Sequence, residues 1–585
     1  MRKIILYTVI AVVLAIPAFS HGEPKETESE VLLSTISTPY RPKIASYLGV
    51  SITALDRFDI FVKVDPVGRT MRGNVQITMK NNSLTTLRDV NLKLWPNSFN
   101  PSGDSPMSVT GASAGSDILT VKMHSKSTAI VSLPRNCRPG ESFSVNVEFD
   151  AVIPPIEDDQ KNLSAQAVEQ LLGMLTGKQN RPGQADYGVF GAGSNVINLG
   201  GFYPTPATLG KSGWEMEPEG GIGDFSYGLP SNYFVSVMVP DGYKVVAPGR
   251  KIKSLSKDGW ETNLFVGAAM RDYVIEIGKR FTAERAFVGE TTITAWFSPD
   301  DRARGLKMLQ VAKDSFTYYS QKFGPYPWME LKVVEAPITG GAGGVEFPGL
   351  VTIADMLVET KKPAKAGNEE FFSFALAGKM MDDMLDFVVA HEVAHQWWNA
   401  LVGSNPRKYP WIDEGLTSYS AAMYFSEIYG KARGEQMLKT QIKLNYEAMR
   451  LFGGSDRPVE TPVSEYHSMF DYAGIVYGKA PLYHHALMSL VGLRQYQEGC
   501  REYARKYAFK SATPSSFTET MESVHPAYAT RINEYYRRWM RETHGDEDIG
   551  KPDLGSLIEM MTGQHMDGNV KEFMEEMFPM MKQYK

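Results

Sequence analysis

The sequence predicts a multidomain α+β protein, with an N-terminal antiparallel β-rich domain followed by a mainly α domain. Three observations predict it. A chain of 585 residues accommodates two to four domains at about 150 residues each. Apolar residues recur with period two through the first half, and from about residue 300 they recur at alternating intervals of three and four. Composition agrees: 43% hydrophobic and 22% charged residues belong to a globular chain and exclude wholesale disorder. Sixty-one basic against 67 acidic residues, with no Lys/Arg-rich stripe, leave no footprint for nucleic acid. Two cysteines, Cys137 and Cys500, are too few for a disulfide framework or a thiolate metal site.

Taken in order, the chain opens with Arg2 and Lys3 before an uncharged run from Ile4 to Ile16. Pro17 ends the run, and Ala18 and Ser20 supply small residues for cleavage, so residues 1–20 read as a secretory signal peptide. The run is shorter than the roughly 20 residues that span a bilayer as a helix. This reading places the mature chain in the periplasm or outside the cell. The alternative is an uncleaved membrane anchor through residues 4–16, with the rest still facing away from the cytoplasm. Residues 21–39 read as a polar linker.

Residues 40–285 form the β-rich domain. Phe58, Ile60, Val62 and Val64 alternate with more polar neighbours, as do Val75, Ile77 and Met79, and then Phe143, Val145, Val147 and Phe149. Such alternation turns one strand face to a core and the other to water. A polar helical insertion (Gln160 to about Leu175) and a glycine-rich stretch near Gly200 interrupt it. Residues 286–546 are mainly helical. Leu309, Ala312, Phe316, Tyr319 and Phe323 make an apolar stripe that Gly324-Pro325 ends. Further helices are expected at about 381–401, 412–428, 480–492 and 527–542. Residues 547–585 read as an amphipathic helical tail, Met-rich, with Val570, Phe573, Met574, Met577 and Phe578 on its apolar face.

Chemistry concentrates in the second half. His391 and His395 frame Glu392 inside a helical pattern. Four residues advance a helix by about 400°, so the two imidazoles share a face and reach one zinc ion together. Glu392 falls about 100° round, placed to reach a water on the metal rather than the metal itself. Its neighbours Val388, Val389, Val393 and Ala394 keep it off a freely solvated face. A third ligand is expected from a nearby element. Glu414 lies in Trp411-Ile412-Asp413-Glu414-Gly415, which opens the next helix and would return antiparallel to the first.

His391-Glu392-Val393-Ala394-His395-Gln396-Trp397-Trp398, followed by Trp411-Ile412-Asp413-Glu414-Gly415, resembles the M1 family of zinc aminopeptidases, which are gluzincin metallopeptidases. The likeness includes Phe323-Gly324-Pro325-Tyr326-Pro327, Gly343-Gly344-Val345-Glu346-Phe347 and Val476-Tyr477-Gly478-Lys479. It covers about residues 230–545, and it matches a short form without the family's large helical C-terminal domain. The resemblance implies a thermolysin-like catalytic domain and one zinc ion per chain, held by His391, His395 and Glu414. It implies that Glu392 acts as general base on zinc-bound water and that Tyr477 stabilises the oxyanion. Glu346, with Gly343 and Gly344 beside it, would bind the free N-terminus of a peptide substrate.

Some features depart from the family pattern. Val345 and Phe347 stand where Met and Asn are usual. The stretch from Ser194 to Pro204 offers Asn195 and Asn198 but no acidic residue for the amine pocket. The interval from Glu346 to His391 is longer than usual and suggests a surface excursion. Tyr472 is a weaker companion of Tyr477, and His484-His485 read as structural. The resulting expectation is removal of N-terminal amino acids from peptides. Two alternatives stay open: a zinc endopeptidase, and a non-catalytic peptide-binding scaffold with a vestigial site.

Overall fold

The computed structural model describes residues 26–99, 105–157, 187–216, 222–224, 227–358, 368–451 and 453–553. The expectations for residues 1–20, the insertion at 160–175 and the end of the tail lie outside them.

The period-two segments are strands. β1 (Arg57–Asp65), β2 (Thr70–Lys80) and β3 (Ser142–Val152) bury alternate side chains, as the sequence requires. With β4 (Ser231–Pro240), β5 (Trp260–Met270) and shorter edge strands they build an eight-stranded sheet. Most pairs are antiparallel, but β1 and β4 run parallel, with Arg57 opposite Asn232. A two-residue turn cannot join parallel neighbours, and here more than 160 residues intervene between them. Smaller antiparallel sheets accompany it, among them the one formed by the strands at Phe190–Ala192, Val196–Gly200 and Val274–Gly278.

Two expectations need correcting. The segment at 21–39 is no simple linker. It contains a helix, α1 (Glu28–Leu33), opened by a reciprocal cap between Thr27 and Glu30. Leu32 and Ile36 are fully buried, and Ile36 bridges to Trp328 in the second half. Burying two such side chains gains about 1.5–3 kcal/mol each, which favours docking over a free tether.

The second half also opens with a sheet that periodicity did not reveal. β6 (Thr282–Val288) crosses the expected boundary at 286 and pairs with β7 (Thr291–Phe297). β8 (Glu330–Ala336), β9 (Gly344–Phe347) and β10 (Leu350–Ala354) complete five strands, in the order β6-β7-β8-β10-β9. β8 and β10 are buried on both faces; β10 reads as a nearly apolar run, whereas β8 buries Lys332 and Glu335 among its apolar residues.

Helices complete the half. α2 (Arg302–Phe323) carries the stripe from Leu309 to Phe323 and packs on α3 (Asn368–Ala394). Tyr319 of α2 donates a 2.9 Å hydrogen bond to the carbonyl of Ala390, fixing α3 one residue from His391. α4 (Trp411–Tyr429) lies against both, and α5 (Ala480–Val491) lies against α4. Where a helix to 401 is expected, regular turns stop at Ala394 and a widened turn follows. Ala400 donates back to the carbonyl of His395, and Trp398 and Asn399 leave helical backbone angles. Among the described residues, no helix is long and apolar enough to cross a membrane.

Candidate active site

The site forms where the last turns of α3 meet the first turns of α4. His391 and His395, one turn apart, bring their Nε2 atoms to 3.0 Å. Glu414 Oε2 lies 3.2 Å from the first and 3.4 Å from the second. All three residues are buried. The trio expected from the sequence is therefore assembled.

Each imidazole is oriented from behind. His395 Nδ1 lies 3.2 Å from the carbonyl of Trp398 and 3.3 Å from the Thr417 hydroxyl. A carbonyl only accepts, so Nδ1 carries the proton and Nε2 presents a lone pair to the centre. Ser418 Oγ lies 3.3 Å from His391 Nδ1, where it can accept a hydrogen bond from that ring when Nε2 faces the centre as a lone pair. Two aimed lone pairs and a carboxylate oxygen, all within 4.8 Å of one another, form a donor set that suits a tetrahedral zinc ion with one position left open. Burial lowers the pKa of His391, which favours the neutral, ligating form, whereas the surrounding carboxylates Glu346, Glu414 and Glu392 raise that of His395 despite its burial.

Glu392 stands beside the trio, buried, and its Oε2 has no hydrogen-bond partner among the described residues. Tyr477 donates a 2.7 Å hydrogen bond to Glu414 Oε1. Its hydroxyl thus sits beside the ligand trio. Glu346 lies on the other side, where Glu346, Glu392 and His395 offer atoms within 4.8 Å of one another. Glu346 Oε1 accepts a 2.7 Å hydrogen bond from Asn399, whose amide also reaches Asp413 Oδ2 at 3.3 Å.

The glycines at 343 and 344 have a packing reason that the sequence did not reveal. A Cβ on Gly343 would come within 2.6 Å of Val388, and one on Gly344 within 2.7 Å of Glu392 Cγ and Oε1. Both admit α3 against the β9 edge. Phe347, the departure from the usual Asn, is buried in an apolar cluster with Val189, Val334 and Leu350.

The β-rich half supplies a carboxylate that sequence reasoning missed. Asn198 is buried in its sheet, bonded to the carbonyl of Gly188, and Asn195 is exposed, so neither serves the site. Asp224 instead lines a cleft with Glu346, Phe347 and Asn399. Ile222 anchors that segment among Tyr446, Met449, Tyr472 and Ile475. Arg407 donates to its carbonyl at 3.0 Å, and Gly223 N–H donates to the Tyr187 hydroxyl at 2.9 Å. Tyr472 packs directly beneath Gly223, which makes it a support for Asp224. His484 is structural, as read: buried, with Nδ1 2.9 Å from the Tyr496 hydroxyl.

Five carboxylates therefore converge. Burial first, then their mutual repulsion, raises the pKa values of Asp224, Glu346, Glu392 and Asp413, the last to about 8. Glu414 is the exception: although burial works against it, the paired imidazoles hold it below the usual carboxylate range. Ionising them together would require cations beside them.

The fold and the trio define a zinc metallopeptidase architecture, a β-rich half followed by a helical half that carries the ligands. Residues 307–539 match the Peptidase family M1 domain. The chain is 25% identical over 311 residues to glutamyl aminopeptidase of Sus scrofa, covering 50% of this chain and 30% of that protein. It is 26% identical over 250 residues to probable aminopeptidase 1 of Sulfurisphaera tokodaii, covering 42% of this chain and 29% of that one. The match thus spans about a third of the length of these relatives. In fold it resembles the M1 zinc metallopeptidase of Deinococcus radiodurans, at TM-score 0.56 and 17% identity, over 83% of this chain and 93% of the other. A mutant of that protein is known bound to a Tyr-ser-ala substrate. The family and its zinc, expected from the motifs, are borne out.

Proposed function

We propose that this chain is a zinc aminopeptidase, releasing single residues from the N-termini of peptides. The observation that carries the proposal is the separation between Glu346 and the hydrolytic centre. In a peptide, the α-nitrogen and the first carbonyl carbon are about 2.5 Å apart, from standard backbone dimensions. Glu346 reaches within 4.8 Å of Glu392 and His395. An ammonium held by Glu346 therefore delivers the first peptide bond, and no later one, to the centre.

When bound, zinc supplies Lewis-acid polarisation of the scissile carbonyl and of the attacking water. The chain's own residues do the rest. Glu346, aided by Asp224, pairs with the α-ammonium. A blocked N-terminus would leave those buried carboxylates without their cation, which is costly. Glu392 takes the proton of the attacking water at its unpartnered oxygen and passes it to the departing amine. Tyr477 turns its O–H from Glu414 to the oxygen where negative charge develops.

Aminopeptidase names among the relatives support this reading. Digestion of a peptide mixture, with free and with acetylated N-termini, tests it by mass spectrometry. Free peptides should shorten one residue at a time from the front while acetylated ones survive. Internal cleavage of acetylated peptides would make the chain an endopeptidase, and no cleavage of either would make it a scaffold. Residues 1–20 we read as an export signal, so that the enzyme works in the periplasm or outside the cell. A mature N-terminus near His21 would support that reading, and a retained Met1 would favour the anchor.

A further inference from the structure

Attention falls on the widened turn that follows the second histidine, a part of the molecule that the proposed mechanism does not use. Had α3 continued regularly beyond His395, residue 399 would stack one turn further along the same face as the ligands. Instead Trp398 and Asn399 leave helical angles, and Asn399 points its amide at Glu346. We infer that Asn399 is a positioning residue for Glu346, and that it sets the preference for a free α-amine. The inference rests on the aminopeptidase reading and deepens it.

Three features carry it. The first is the amide's geometry: Nδ2 gives one hydrogen to Glu346 Oε1 at 2.7 Å and the other to Asp413 Oδ2 at 3.3 Å. An amide nitrogen has only two hydrogens, so both are spent on carboxylates. Asn399 therefore bridges two acids that would otherwise repel, and it fixes one oxygen of Glu346.

The second is that the turn is itself held from several sides. Gln396 donates to the carbonyl of Phe347 at 3.0 Å and accepts from Gly349 N–H at 2.9 Å, clasping the end of the strand that carries Glu346. Arg271, from the β-rich half, donates to the carbonyl of Ala400 at 3.2 Å and to that of Lys510 at 2.7 Å. A Cβ on Gly403 would collide with that guanidinium, so the close approach requires glycine. Strand, turn and neighbouring half are locked into one frame, and Asn399 is the member of that frame that touches the carboxylate of Glu346.

The third is burial. Asp413 is 2% exposed, and its other oxygen is taken by the backbone N–H of Glu414 at 2.9 Å. The bridge through Asn399 thus links the amine-binding acid to the first turn of α4, where the ligand Glu414 sits.

Steady-state kinetics on an aminoacyl arylamide test the inference, with zinc content and thermal midpoint measured for every variant. Asn399→Asp keeps the shape but replaces the donor by a third carboxylate, and Asn399→Ala removes the group altogether. Both should raise KM about tenfold or more while kcat changes far less, with zinc retained. Asn399→Gln, which keeps the donor, should restore part of the lost affinity. The decisive comparison is a double-mutant cycle with Glu346→Gln. If Asn399 acts through Glu346, adding Asn399→Ala to Glu346→Gln costs no further activity.

Losses that multiply in the double variant, or a fall in kcat at constant KM, would overturn the inference. So would variants that lose activity only in proportion to lost fold. A wild-type chain that releases no N-terminal residue, or a Glu346→Gln variant with unchanged KM, would instead defeat the underlying functional reading. A sensitive Glu346→Gln beside an indifferent Asn399→Ala would defeat this inference alone.

Discussion

Gly344 and Glu392 are in close contact: a Cβ at 344 would lie 2.7 Å from Glu392 Cγ and Oε1, and 2.6 Å from the backbone carbonyl of Thr352 on the neighbouring strand. The β9 edge and Glu392 are set against each other by the absence of a side chain. Gly344→Ala should push Glu392 out of line. Misplacement by about 1 Å costs on the order of 100-fold in rate, and kcat/KM should fall by about that factor while zinc content stays at wild-type level. Near wild-type turnover would show that the contact yields without consequence.

Asp224 is predicted to share the ammonium with Glu346, because both line one cleft and repel each other until a cation arrives. Asp224→Asn keeps the shape and removes the charge. KM for substrates with a free amine should rise about tenfold, with a smaller change in kcat. An unchanged KM would reduce Asp224 to a bystander.

Asp224 also shows where sequence reasoning stopped. It stands in a loop of the β-rich half and reaches the site because Ile222 packs among residues some 220 to 250 positions later. No local pattern records such a crossing. The His391–His395 pair was legible because helical geometry alone puts positions four apart on one face, and Glu414 was legible through its motif. Asn399 was not, since its position depends on a turn that abandons that geometry. The five-stranded sheet was hidden because its strands are short and buried on both faces: β10 is almost wholly apolar, and β8 buries Lys332 and Glu335 beside Leu331, Val333 and Val334, so no single face reads as polar. The helix at Glu28–Leu33 had a readable signal, Thr27 three residues before Glu30, within a stretch whose polarity argued for a linker.

His484 supplies a test of stability rather than catalysis. Burial lowers its pKa from 6.5 to about 3, so it stays neutral in the folded chain while the unfolded chain takes up a proton. Stability from this group is complete above pH 6.5 and is lost as pH falls from there toward 3. Between pH 6.5 and 5 the loss is about 2 kcal/mol, at roughly 1.4 kcal/mol per unit. Urea unfolding at pH 7 and pH 5 should show a steeper loss for wild type than for His484→Gln, even though the variant starts lower. Parallel losses would mean that His484 is protonated without cost.

The central claim is that His391, His395 and Glu414 hold one zinc ion beside Glu392. Zinc per chain, measured by native mass spectrometry alongside aminopeptidase activity, tests it most directly. The account predicts one zinc in wild type and in Glu392→Gln, with activity reduced by about 100- to 10,000-fold in the latter. It predicts loss of both zinc and activity in Glu414→Ala. Stoichiometric zinc retained by a Glu414→Ala chain that folds and hydrolyses as wild type does would contradict it.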